Sequence, residues 1–237
     1  MIKIETLSKK FGRLPVLDSV NLNIDQAKCI ALIGPNASGK TTLIKSILGL
    51  VIPDTGKISI DGMPIIGEWK YREKIGYMPQ IGRYPDNMSI SQLFKMITDV
   101  RKATWENCDT ELVELFEIEK IYSKKLGTLS GGTRQKISAC LAFLFNPDIL
   151  ILDEPTAGLD PVSTELLKRK ILVEKSKNKL ILITSHVLSD LDELVDEVIF
   201  LQEGQINFQK PITQIKEETG ETKLSRAIAK VMGYKES

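Results

Sequence analysis

Histidine and cysteine are scarce in this 237-residue chain: His186 stands alone, and the three cysteines are Cys29, Cys108 and Cys140. The cysteines are far apart, odd in number and in no metal-ligand spacing, which excludes a disulfide framework and a cysteine metal site and leaves packing as their role. No apolar run approaches the ~20 residues that span a bilayer; the longest lie around residues 149–152 and 180–183. Neither charge is in excess, because 32 Lys+Arg against 31 Asp+Glu leave a net charge of +1. No global field therefore draws in nucleic acid or an anionic membrane, and any anion must be bound locally. A basic stripe interleaved with aromatics is also missing, which argues against direct contact with nucleic acid. The opening Met1-Ile2-Lys3-Ile4 alternates like a strand and carries no charged leader or apolar segment, so a reducing cytoplasm is the expected compartment.

What is present is core. Hydrophobic residues make up 42% of the chain, and a chain of this length buries roughly 70–75% of the surface it exposes when unfolded. Short β-rich runs are expected at residues 2–7, 20–24, 29–33, 57–60 and 75–78, separated by turn residues. The runs at 149–152 and 180–184 are continuously apolar, as in strands covered on both faces, and they alternate with helical patterns at 137–145 and 163–175. That alternation predicts an α/β fold with a mainly parallel sheet. Residues 89–122 read instead as successive helices (91–101, 107–116), a helical insertion, and residues 211–237 as a short helix pair.

Gly34-Pro35-Asn36-Ala37-Ser38-Gly39-Lys40-Thr41 matches GxxxxGK[ST] between an expected strand and the helical pattern that begins at Thr42. In such a loop successive backbone N–H groups and the helix N-terminus converge on phosphate oxygens. Lys40 is placed to reach the β- and γ-phosphates, and Thr41 to offer a hydroxyl to Mg²⁺. Ala37 stands where many such loops have Gly, so the loop must either avoid positive φ there or accept strain.

Ile149 to Leu152 lead into Asp153-Glu154, and parallel sheets bind ligands at the carboxyl ends of their strands. Consecutive strand residues point to opposite faces, so the two acids are expected to differ in role: Asp153 in the Mg²⁺ shell, Glu154 accepting a proton from the attacking water. Alone, the pair reads equally as a solvated acidic turn; beside a phosphate loop the site reading prevails. His186 follows residues 180–184 at another strand's carboxyl end. A lone histidine is ordinarily a satisfied polar residue, but at that edge an imidazole can hydrogen-bond the γ-phosphate and the attacking water.

Leu129-Ser130-Gly131-Gly132 precedes a helix and the carboxylate strand, and it resembles the signature motif of ATP-binding-cassette (ABC) ATPases. By itself it is also a plain turn with an N-cap. The resemblance covers nearly the whole chain. It implies a P-loop core with an N-terminal antiparallel β subdomain and a helical signature-motif insertion at about 89–145, within an ATPase domain of residues 1–210, followed by a helical extension at 211–237. It implies that ATP is bound by residues 34–42, by Phe11 stacking on adenine, and by Ser130, Gly131, Gly132 and Asp160 of the D-loop 157–160. Gln80 becomes the Q-loop glutamine, joining Thr41 and Asp153 at Mg²⁺ and joining Lys40, Glu154 and His186 in catalysis. Thr133 departs from the usual Gln after LSGG, and Phe11 from the more usual Tyr; stacking needs the ring and not the hydroxyl.

In this family the signature of one subunit closes over the phosphate loop of another, so two complete halves imply a homodimer. No long coiled coil or second cassette marks a DNA-repair or translation protein. The expected function is thus the ATPase subunit of a transporter, on the cytoplasmic face of a membrane with separate membrane-spanning permease subunits. A soluble regulatory ATPase acting on nucleic acid or ribosomes is the alternative. Residues 81–89, with Tyr84-Pro85 before a helix start, look similar to single-cassette exporters of the ABC-2 sort, including the ATPase of the nitrous-oxide reductase maturation system. The surface at 81–93 is expected to dock a helix of the membrane partner through an exposed Tyr84; the other reading packs Tyr84 under the helical lobe.

Overall fold

The computed structural model describes residues 2–231; the expectation of a helical extension over residues 232–237, like any reading of Met1, lies outside the described residues. The chain divides into two compact units, Met1–Arg72 with Lys175–Ser237, and Glu73–Glu174.

In the first unit β1 (Ile2–Phe11) and β2 (Leu14–Ile24) form an antiparallel hairpin. The turn is Gly12-Arg13, and Gly12 takes the positive φ of +60° that a two-residue hairpin loop demands. Both strands run past their expected ends because residues 8–19 are largely polar and exposed, and so carry no apolar alternation. β3 (Cys29–Ile33) is wholly buried, the reason its sequence is apolar throughout. α1 (Lys40–Ile47) follows it. β4 (Thr55–Ile60) pairs antiparallel with β1, and β5 (Met63–Pro64) with β4, giving the order β2-β1-β4-β5.

The second unit opens with β6 (Ile75–Met78) and α2 (Ile90–Arg101), whose start is fixed by a capping box between Ser89 and Gln92. The expected helix at 107–116 is only partly formed, as α3 (Glu111–Leu115). Asp109 interrupts it: its carboxylate accepts from the Glu111 N–H at 3.2 Å while its own N–H is spent on the Leu144 carbonyl at 2.8 Å. α4 (Gly131–Phe143) begins six residues before its apolar pattern, because its first turns hold glycines and polar residues. β7 (Ile149–Asp153) lies parallel to β6, with Ile75 opposite Ile149, and α5 (Pro161–Ser176) follows.

Back in the first unit, β8 (Leu180–Thr184) and β9 (Glu197–Gln202) flank β3, both parallel to it. β10 (Gln205–Pro211) returns antiparallel to β9. This last hairpin was not expected, although its turn, Glu203-Gly204, has both residues at positive φ, the signature of a tight hairpin loop. The expected C-terminal pair is α6 (Ile212–Thr219) and α7 (Leu224–Val231). Asp192 holds both, pairing with Lys216 at 2.7 Å and accepting the Leu224 N–H at 3.0 Å. Among the described residues, no helix is long and apolar enough to cross a membrane.

Candidate functional site

The loop after β3 is shaped by backbone that only glycine tolerates at two points. Gly34 has φ +155°, and a Cβ there would collide with the Leu201 carbonyl and stand 2.8 Å from the Ser38 hydroxyl. At Gly39, φ +108°, a Cβ would stand 2.7 Å from the Val16 carbonyl. Ala37 takes the strained option, with φ +63° in the left-handed region. Lys40 folds over the loop, its ammonium donating to the carbonyls of Gly34 at 2.8 Å and Pro35 at 3.0 Å. Ser38 is buried with its hydroxyl lacking any partner among the described residues, the kind of group a bound oxyanion completes. Pro35, Asn36 and Thr41 are exposed and Thr42 half-buried. A tight glycine cradle, an orphaned hydroxyl and a lysine fit a polyphosphate.

His186 lies two residues past Thr184, the end of β8, and is exposed. Since β8 runs parallel beside β3, His186 and the phosphate loop leave the same sheet edge. Phe11 ends β1 with its ring half exposed and 5.5 Å from the Lys9 ammonium. All of these residues belong to the first unit.

The second unit holds the rest. Asp153 ends β7 and is buried. Burial, and after it the charge of Asp153, push the Tyr77 hydroxyl up to about 12. Glu154 corrects the expectation of simple strand alternation: it stands just past the strand with φ +52°, so the pleat of the strand ends at Asp153 and does not set the direction of Glu154. Ser130 caps α4, accepting the Thr133 N–H at 3.2 Å and meeting the Thr133 hydroxyl at 2.9 Å. The plain N-cap role is therefore real, and Thr133 joins it where glutamine is usual. A cleft of about 420 Å³ brings together Gln80, Leu129, Gly131, Gly132, Ala157 and Gly158. Gly132 is needed there, since a Cβ would come within 2.7 Å of the Gly158 carbonyl. Asp160 accepts the Ser163 N–H and hydroxyl at 2.9 and 2.7 Å and pairs with Lys136 at 2.9 Å. The Lys136 ammonium, then Ser163, hold its carboxyl well below the usual carboxylate range.

Tyr84 is a correction. It is half-buried, its hydroxyl 2.7 Å from the Ser138 hydroxyl of α4, with its pKa raised by burial. The exposed apolar side chain in this stretch is Ile81, at 67%. Tyr84→Phe is expected to lose one hydrogen bond, about 1 kcal/mol, and Tyr84→Asp several kcal/mol. Thermal melting of the two variants checks this; an unchanged melting temperature in Tyr84→Asp would return the ring to the surface.

A phosphate loop at the carboxyl end of a buried parallel strand, in a chain whose second apolar strand ends in carboxylates, defines a P-loop nucleotide hydrolase. The family model of the ABC transporter matches residues 17–157. Over 212 residues the chain is 34% identical to the lantibiotic transport ATP-binding protein SrtF of Streptococcus pyogenes, covering 89% of this chain and 90% of that one. A solved ATP-binding subunit of an ABC transporter superposes with a TM-score of 0.90 at 27% identity, covering 98% of this chain and 99% of that one. A dimeric bacterial ABC transporter cassette, at 24% identity, shares the fold with a TM-score of 0.79 over 89% of this chain and 98% of that one. The chain belongs to the ABC transporter family; it is an ATP-binding transporter subunit and an ATPase.

Proposed function

We propose that two copies of this chain sandwich two ATP molecules head to tail and drive transport through separate membrane-spanning subunits, at the inner face of a membrane. The observation that carries this reading is the phosphate loop, with its orphaned Ser38 hydroxyl and its folded Lys40. The dimer draws support from the cleft at Gly131 and Gly132, an open helix N-terminus suited to anions and ringed by glycine, and from a fold neighbour that is itself dimeric.

The roles follow the family motifs residue by residue. Phe11 stacks on adenine; residues 34–42 hold the phosphates; Ser130, Gly131, Gly132 and Asp160 close over the partner's nucleotide. Lys40 leaves its loop carbonyls for the β- and γ-phosphates. Glu154 accepts the proton of the attacking water, and His186 hydrogen-bonds the γ-phosphate. Thr41, Asp153 and Gln80 are oxygen donors of the hard kind that Mg²⁺ takes. Among the described residues no three acidic, histidine or cysteine side chains gather to hold a metal by themselves. Mg²⁺ would be held there by Thr41, Asp153 and Gln80 and would supply positive charge to neutralise the charge that develops on the transferring phosphate. Residues 1–210 form the ATPase domain, with its helical part at 89–145 and an extension beyond 211. The membrane partner docks at 81–93 through Ile81 rather than Tyr84.

Mixing chains tests the composite site. With Ser130→Arg in one chain and Lys40→Ala in another, one of the two sites retains both wild-type halves, while neither homodimer has any. ATP-driven association is expected in the mixture alone, read by sedimentation; full ATPase activity in either mutant by itself would rule out the sandwich.

A further inference from the structure

The segment from Glu154 to Asp160 lies outside the helices and strands, yet it links the general base to the D-loop acid. Turn-like bonds hold it internally, Ala157 N–H to Glu154 O at 3.1 Å and Leu159 N–H to Thr156 O at 3.2 Å. Helix α4 packs against it at three points. Gln135, 4% exposed, donates its side-chain amide to the Glu154 carbonyl at 3.3 Å. Lys136 pairs with Asp160 at 2.9 Å. Gly132 lets the Gly158 carbonyl approach so closely that a Cβ would sit 2.7 Å away. Positions 132, 135 and 136 are spaced i, i+3, i+4 and so share one face of α4. That face touches the segment at its start, near its middle and at its end.

We propose that Gln135 and Lys136 are positioning residues for hydrolysis: through Glu154 and Asp160 they fix where the base and the D-loop stand relative to the signature turn on the same helix. The inference rests on the assignment of Glu154 as base. Glu154 has a left-handed backbone that residues with a side chain adopt rarely. A donor on its carbonyl holds that peptide against relaxation. The pinned carboxylate of Asp160, doubly bonded to Ser163 as well, gives the other end a rigid anchor. A shift of about 1 Å in such a group is enough to cost on the order of 100-fold in rate without loss of substrate.

Gln135→Leu keeps the volume and removes the donor; Lys136→Met removes the charge; Lys136→Arg keeps it. Steady-state ATPase measurements are paired with titration of a fluorescent ATP analogue and with thermal melting. The first two variants are expected to lower kcat by roughly 10- to 100-fold while leaving analogue affinity unchanged, and Lys136→Arg to recover most of the rate. In a Glu154→Gln background, Gln135→Leu is expected to add no further loss, because the group it places has already lost its basicity. General unfolding would instead lower affinity and melting temperature together and add to the Glu154→Gln defect. Wild-type kcat in either Gln135→Leu or Lys136→Met overturns the proposal, as does a full additional loss in the double variant. Should Gln135→Leu fail to fold, the Met and Arg variants of Lys136 decide: a rate restored by Arg supports the proposal, and equal rates in both overturn it. Wild-type turnover in Glu154→Gln alone is a different result, which overturns the base assignment itself.

Discussion

Glu154→Gln is expected to bind MgATP as tightly as the wild type and to turn it over ~10²–10⁴-fold more slowly, the usual contribution of a general base, roughly 3–5 kcal/mol of barrier. The change alters no residue of the phosphate loop 34–42. Glutamine also preserves the shape of the side chain and the backbone carbonyl that accepts from Gln135. Only the proton acceptor is lost. Single-turnover kinetics separate this from a binding defect: the chemical step should slow while the ATP association rate stays put. Hydrolysis within a few-fold of wild type would remove Glu154 from the role of base.

Lys40→Ala should behave differently, losing nucleotide affinity as well as turnover. Its ammonium is held at the Gly34 and Pro35 carbonyls, on the loop whose N–H groups converge on phosphate oxygens. A charge that meets the β- and γ-phosphates binds the ground state and binds the transition state more strongly as charge develops on the transferring group, so its removal raises KM and lowers kcat together. A desolvated, charge-assisted contact of this kind contributes about 1.5–3 kcal/mol, which corresponds to a loss in affinity of roughly 10- to 100-fold. Titration with a fluorescent ATP analogue is the check, and an unchanged Kd would take Lys40 out of the phosphate site. The two variants together divide the site into a binding half and a chemical half.

Much of this was legible because the informative segments are local. β3 and β8 coincide with the expected runs at 29–33 and 180–184, since a strand buried on both faces must be apolar throughout. The phosphate loop needed only its own eight residues. What escaped sequence reading depended on partners distant along the chain. Ala37 could be flagged as awkward but its left-handed φ is set by the loop as a whole. Tyr84 looked like a surface aromatic because the Ser138 hydroxyl that receives it lies 54 positions away. Gln135 and Lys136 carried no signal beyond their place in a helix, as their partners Glu154 and Asp160 lie on the far side of β7 in sequence. The left-handed φ at Glu154 was likewise invisible: residue alternation describes a strand only as far as the strand runs, and this one stops at Asp153.

The most direct test of the ATP sandwich is the solution mass of Glu154→Gln by light scattering, with and without MgATP. Without nucleotide the facing surfaces contain anion sites lacking their anion, so the mass of one chain is expected. With saturating MgATP the stalled chain should show the mass of two, and adding Ser130→Arg to the same chain should return it to one. A single-chain mass at nucleotide concentrations that saturate binding would contradict the two-chain composite site.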